Sequence, residues 1–324
     1  MIQELSEEDQ EVAARTSYTY WAYTVGKGSE NNEFCSQGNN VNGKQHAGME
    51  VTHDNSTTVN VRRQMRQRMA MREARRHLVG EGGKYEKGLV SLQKTIEFRK
   101  QWNIDLLRSC SRTDTNASAE GDDARQKRLH YFELLKKDLS NQLMVVRGHD
   151  RENRAVLIKM GRESSETDPK GYLIAQIYMA ERALACTEVR SRGTQEKITV
   201  VFDFGNYSSA NAPPKTLILS TVKALQGNYP ERLAKLVILD PPLWMRGVYA
   251  LVYPFLATET RQKVVLTSGA AQKEQHLGPL IDASQASPLL LPDGKLKPQV
   301  DLHRMLHDVP FHALYDEVLV PSSS

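Results

Sequence analysis

The chain has 324 residues, 40% of them apolar and 25% charged, with 43 Lys and Arg against 39 Asp and Glu for a net charge of +4. Such proportions describe an ordinary folded protein of roughly two domains, and no run approaches the ~20 apolar residues that a bilayer span needs. Met1 to Ser17 is acidic without an apolar stretch, so no secretion signal is expected. Three widely spaced cysteines, Cys35, Cys110 and Cys186, cannot form a disulfide framework or a zinc knuckle. A reducing, cytoplasmic address is the expectation, and the net charge is too small to imply nucleic acid by itself.

In chain order, residues 1–60 read as a polar, unstructured tail, because Gly26 to Thr58 offers almost nothing to bury. Tyr18, Tyr20, Trp21 and Tyr23 form an aromatic knot within it, able to dock on the body or on a partner or simply to cluster in the tail. From Val61 to Leu78, seven arginines (62, 63, 66, 68, 72, 75 and 76) face one acid, Glu73, while Val61, Met65 and Met69 recur every fourth residue. The spacing predicts a basic amphipathic helix. It reads as a solvated face or as an anchor on anionic membrane, with Arg62, Arg63 and Arg66 as the candidate membrane contacts; without interleaved aromatics, nucleic acid is disfavoured. Gly80, Gly82 and Gly83 end it. A second helix is predicted over 85–102, with Tyr85, Leu89, Leu92 and Ile96 on one face. Residues 61–110 are thus a small helical subdomain, 111–124 a linker with no large apolar side chain, and 125–324 a separate unit.

That last unit alternates between strand and helix patterns. Arg154–Met160, Ile198–Phe204, Ala234–Leu239 and Val264–Thr267 are short, continuously apolar and rich in β-branched residues, as expected of strands covered on both faces. Helical patterns fill Gly171 to Cys186 and the stretch after Asn211-Ala212-Pro213-Pro214, up to Gly227. The predicted fold class is α/β, a mostly parallel sheet with flanking helices. Leu243 to Leu256 carries one charge in fourteen residues, Arg246, which makes it a core helix or a lid over an apolar cavity. Just past it, Thr260 and Lys263 stand at i, i+3 on one side of a turn, suiting a ligand with a phosphate on a long apolar body.

Tyr229-Pro230-Glu231-Arg232-Leu233-Ala234-Lys235, then Asp240-Pro241-Pro242-Leu243-Trp244-Met245-Arg246-Gly247-Val248, Pro254-Phe255-Leu256 and Thr260-Arg261-Gln262-Lys263-Val264 resemble, in order and spacing, the signature of the CRAL-TRIO family of phosphatidylinositol transfer proteins and their relatives. Arg154–Met160 resembles that family's G-R-P-V strand, Asp203-Phe204-Gly205-Asn206 its D-L-x-G strand end, and Glu97-Phe98-Arg99-Lys100 its E-W-R-K helix. The resemblance covers about 85 to 315 and implies a gate helix closing over an apolar lipid pocket floored by the sheet. Pocket and gate residues would be Trp244, Val248, Leu251, Val252, Phe255, Ile198, Val200 and Phe202. The headgroup residues would be Glu231, Thr260 and Lys263. Lys263 can neutralise a phosphodiester, Thr260 can donate to a phosphate oxygen, and Glu231 can accept from inositol hydroxyls.

Departures from the pattern sharpen this expectation. Ile198 and Val200 replace small hydroxyl residues of members that also load phosphatidylcholine. Tyr253 stands where Lys usually precedes P-F-L, and Asp240-Pro241 replaces N-A. Around Arg75 to Glu81 the family's arginine-bearing helix is degenerate. The expected function is non-enzymatic binding and transfer of phosphatidylinositol at a peripheral membrane surface, by a monomer with no cofactor. A lipid sensor that governs a partner, or a carrier of a tocopherol or retinoid, are the alternatives. Enzyme readings lack residues: Asp203-Phe204-Gly205 stands without the rest of a kinase, no G-x-S-x-G elbow or P-loop occurs, and His303 and His307 lack the glutamate of H-E-x-x-H.

Overall fold

The computed structural model describes residues 1–20, 55–111, 122–140, 144–161, 168–205, 213–243, 245–256 and 258–297. The helices are α1 (Glu7–Ala14), α2 (Asn55–Gly80), α3 (Tyr85–Gln101), α4 (Ile104–Arg108), α5 (Asp122–Leu139), α6 (Pro169–Arg190), α7 (Lys215–Asn228), α8 (Met245–Val252), α9 (Thr258–Gln262) and α10 (Gly269–Leu277). The strands are β1 (Met144–His149), β2 (Ala155–Met160), β3 (Ile198–Asp203), β4 (Leu233–Leu239) and β5 (Val264–Thr267), forming one sheet in that order. β1 runs antiparallel to β2, and β2 to β5 are parallel. The four apolar runs are therefore the parallel strands. β1 escapes the sequence pattern because Arg147 and Gly148 break its alternation; Gly148 has φ of 70° and lies at a register shift between Val146 and His149.

Register sorts the strand side chains into two faces. Val156, Ile158, Val201, Val237 and Leu239 are sealed on the face covered by α6, which packs on β1, β2 and β3. Asp168 caps α6 through the Gly171 amide, with Pro169 in the first turn. Leu157, Val200, Phe202, Leu236 and Leu266 share the opposite face. There, Val200, Phe202 and Leu236 are only half-buried, and Leu266 is exposed. α7 begins at Lys215 after Pro214, while Asn211 lies outside the described residues.

The start of the chain departs from the expected unstructured tail. Ser6 caps α1 by accepting from the Asp9 amide, and Ala13 and Ala14 are fully buried in a cluster with Ala70, Ala74, Leu92 and Ile96. Tyr18 and Tyr20 are buried too, whereas Trp21 and Tyr23 lie outside the described residues. Burial here combines large side chains, Leu5, Tyr18 and Tyr20, with close approach of the alanines, which a hydropathy pattern does not register.

The predicted subdomain boundary is likewise overridden by packing. Tyr18, Ile104, Leu107 and Cys110 belong to the same apolar core as Tyr131, Leu135, Val156 and Ile174, so the segments on either side of the linker share one interior. α2 is also less one-signed than its sequence suggests. Arg62 and Arg66 pair with Glu11 and Glu7 of α1 at 3.4 and 3.3 Å. Arg72 and Arg76 pair with Glu196, ahead of β3. Arg63, Arg68 and Arg75 remain exposed.

At the centre lies Glu181 of α6, which is 1% exposed. It accepts from Arg99 Nη1 at 2.6 Å, Arg108 Nε at 2.8 Å and the Tyr229 hydroxyl at 2.7 Å. Arg108 also donates to the carbonyls of Arg15 and Thr16. Burial alone would push the Glu181 carboxyl up, but the charges of Arg108 and Arg99 outweigh it and bring the pKa down to about 2. Replacing Glu181 by Leu leaves two guanidiniums without this carboxylate and is expected to cost roughly 3–5 kcal/mol in urea unfolding. A loss below about 1 kcal/mol, the range of an exposed pair, would contradict that. Because the folded pKa is depressed from 4.5 to about 2, the stabilisation is complete above pH 4.5 and lost as pH falls through that window. Unfolding free energy should therefore decline between those limits in the parent, and decline less in Glu181→Gln.

Candidate functional site

Parallel strands bring their first residues to one edge of a sheet, so chain segments far apart in sequence meet there. Lys197 immediately precedes β3, Glu231 stands two residues before β4, and Lys263 immediately precedes β5. Lys197 Nζ lies 3.1 Å from Glu231 Oε2, and Lys263 Nζ lies 3.6 Å from the same oxygen. Thr260 is one turn before Lys263 and accepts from its amide at 3.1 Å. The structure thus joins Glu231 and Lys263 directly, while Thr260 on α9 meets Lys263 through its backbone carbonyl. Lys197 was missed in the sequence; its position before a strand adjacent to β4 was the available signal.

Burial raises the Glu231 carboxyl, yet the hydrogen bond from Lys197 and the charge of Lys263 prevail and hold it below the usual carboxylate range. Its backbone is left-handed, with φ of 56°, a conformation that costs a side chain bearing Cβ roughly 1–2 kcal/mol. Neighbours on both sides fix it. Tyr229 bonds Glu181 and meets Phe98 edge-on at 6.5 Å. Arg232 donates to Glu73 and to the Glu196 carbonyl, both at 3.2 Å. Burial first, and then the nearby charge of Arg76, lower the Arg232 pKa to about 10, against the opposing pull of Glu73 and Glu196. The Tyr-Pro-Glu-Arg run therefore divides its labour: its Tyr and Arg are bolts, and its Glu is offered to the edge.

Ile198, Val200 and Phe202 share one face of β3, as expected of a pocket floor, with Ile198 buried and the other two half-buried. Lys159, in register with Phe202, lies over its ring at 5.6 Å and over that of Tyr172 at 4.6 Å. Sequence reasoning did not single out this lysine.

Of the expected gate residues, Trp244 lies outside the described residues, as do the side chains of Val248, Val252 and Phe255. Met245 is buried against Phe204, Ile218, Val222 and Leu256. Among the described side chains of this segment, Leu243, Leu251 and Tyr253 are 82%, 40% and 41% exposed. Arg261 lies 4.3 Å over the Tyr253 ring. The Asp203-Phe204-Gly205 run closes on itself, the Gly205 amide donating to Asp203, and His303 and His307 are outside the described residues.

A largely parallel α/β sheet, sealed by helices on one face and incompletely covered on its apolar second face, with an ionic edge and a short apolar helix beyond, is the class that fold and site define. Residues 139–286 match the model of the CRAL/TRIO domain. The phosphatidylinositol transfer protein PDR17 of Saccharomyces cerevisiae is 33% identical over 127 residues, 37% of this chain and 35% of that protein. Patellin-3 of Arabidopsis thaliana is 23% identical over 209 residues, 59% of this chain and 36% of that protein. The chain thus matches about a third of the length of these relatives. The crystal structure of Sfh5 aligns with a TM-score of 0.46 at 18% identity, over 64% of this chain and 67% of that one.

The left-handed backbone at position 231 separates a structural cost from a binding role. Glu231→Gly and Glu231→Ala lose the same carboxylate, but only glycine accepts φ of 56° freely. Glycine should be the more stable of the two by about 1 kcal/mol in urea unfolding. Equal stability would show that the backbone relaxes instead.

Proposed function

We propose that this chain binds a phospholipid, most specifically phosphatidylinositol, and carries it between membrane surfaces. The observation that carries this reading is Glu231 held between two ammonium groups at the strand-start edge of an incompletely covered apolar sheet face. An amphiphile needs both halves. Acyl chains laid on the Val200 and Phe202 face would gain about 0.8 kcal/mol per buried CH₂. At the edge, Lys263 turns from Glu231 to the phosphodiester, Thr260 donates to a phosphate oxygen, and Glu231 accepts from inositol hydroxyls, which a choline headgroup lacks. The relation to a protein named as a phosphatidylinositol transfer protein supports the same choice.

Among the described residues, no helix is long and apolar enough to cross a membrane, so lipid would be taken up from the bilayer surface. The exposed Leu243, Leu251 and Tyr253 put apolar side chains where such a surface can receive them. A tocopherol-like or retinoid-like ligand fits less well, because a neutral headgroup gives the lysines nothing to neutralise. The role is binding and delivery rather than catalysis.

Mass spectrometry of lipid co-purifying with the protein tests this. Phosphatidylinositol is expected with the parent chain and at least about tenfold less with Lys263→Ala, while the unfolding curve stays unchanged. Equal phosphatidylinositol in the two, or a neutral ligand in both, would overturn the assignment.

A further inference from the structure

We propose that Lys197 is a headgroup-positioning residue that makes this site selective for a lipid carrying a single phosphodiester charge. The inference rests on the reading that Lys263 meets the phosphate of phosphatidylinositol, and goes beyond it by assigning a residue and a selection rule. Lys197 and Lys263 share one oxygen of Glu231, and Lys197 is the nearer, at 3.1 against 3.6 Å. When Lys263 turns to the phosphodiester, Glu231 loses one counter-ion and faces a new anion. A half-buried carboxylate beside an anion stays ionised and aimed at the inositol hydroxyls only if another cation remains. Lys197 is that cation. Arg232, next in sequence to Glu231, is committed to Glu73 and the Glu196 carbonyl, and Arg261 lies over Tyr253.

Charge counting then gives the selection rule. Two ammoniums and one carboxylate leave +1, and a phosphodiester at −1 neutralises it. A phosphomonoester on the inositol ring would add about 1.5 to 2 negative charges, leaving an uncompensated excess beside Glu231. The site therefore favours phosphatidylinositol over its phosphorylated derivatives.

The full chain is incubated with phosphatidylcholine vesicles containing either phosphatidylinositol or a phosphatidylinositol monophosphate, and the lipid taken up is quantified. The parent should load phosphatidylinositol in preference. Lys197→Gln should load roughly tenfold less of it, the loss of one charged hydrogen bond, while Lys197→Arg stays within about twofold because the charge is kept. Lys197→Gln combined with Glu231→Gln restores a charge of +1 and should recover part of what Lys197→Gln alone loses; a merely structural lysine would give no such recovery.

Parent-like loading by Lys197→Gln, further loss in the double variant, or equal loading of the monophosphate by the parent would each overturn the proposal. The underlying reading fails separately. If the parent takes up no phosphatidylinositol, or Lys263→Ala loads as the parent does, the headgroup assignment falls and the role of Lys197 with it. If Lys263→Ala loses loading and Lys197→Gln does not, only the role of Lys197 falls.

Discussion

A carboxylate out of contact with water is costly, and the placement of everything around Glu181 follows from meeting that cost. Two guanidiniums and a phenol surround it, and each arrives from a different part of the chain: Arg99 from α3, Arg108 from α4, Tyr229 from the turn ahead of β4. Arg108 extends the constraint by holding the carbonyls of Arg15 and Thr16. One oxygen pair on α6 thereby fixes the amino-terminal segment, the helical region and the approach to the sheet relative to one another. Such a cluster adds little net stability over an apolar replacement of the same shape, but any single deletion within it strands a buried charge. Its effect is on arrangement: alternative packings of these helices would leave ions unpaired.

The edge that carries Glu231 inherits that rigidity. Tyr229 is tied to Glu181 on one side of Glu231, and Arg232 to Glu73 and the Glu196 carbonyl on the other. Glu73 is buried and held well below the usual carboxylate range; burial opposes this, and Arg76, His77 and Arg232 overcome it. Between two such anchors, Glu231 is kept in a left-handed conformation that a free chain would leave. The strain is borne by the networks around Glu181 and Glu73, which hold the carboxylate in place at the edge.

How much of this the sequence displays depends on the range of the interaction. The four parallel strands were legible because continuous β-branched runs are a local property, while Thr260 and Lys263 were singled out by their i, i+3 spacing and Glu231 only through the family resemblance. β1 was not, since Arg147 and Gly148 interrupt its period. The first twenty residues were read with the polar stretch Gly26 to Thr58 as one unstructured tail, whereas their docking uses Tyr18 and Tyr20, which the sequence left open, together with alanine-to-alanine approach and backbone carbonyls taken by Arg108. Glu181 sits in α6 beside Arg182 in a mostly apolar stretch, and only the fold shows Arg99 and Arg108 converging on it from 82 and 73 residues away. Lys197 was hidden for a similar reason: the parallel order of β3, β4 and β5 makes it a neighbour of Glu231.

The distribution of contacts distinguishes the charged edge from the segment that follows β4. Asp240, at the far end of β4, is held by Lys273 and by the Gly269 amide at 3.0 Å, and the Lys263 carbonyl accepts from the Leu236 amide at 2.9 Å. The segment joining them is thus pinned at both ends. Among the described side chains between, Met245 is buried while Leu243, Leu251 and Tyr253 are turned to solvent. Met245 packs on Phe204, Ile218, Val222 and Leu256, whereas the residues flanking Glu231 are tied into two buried ionic networks. Residues anchored in this way open only together with the networks that hold them, which keeps the charged edge in place.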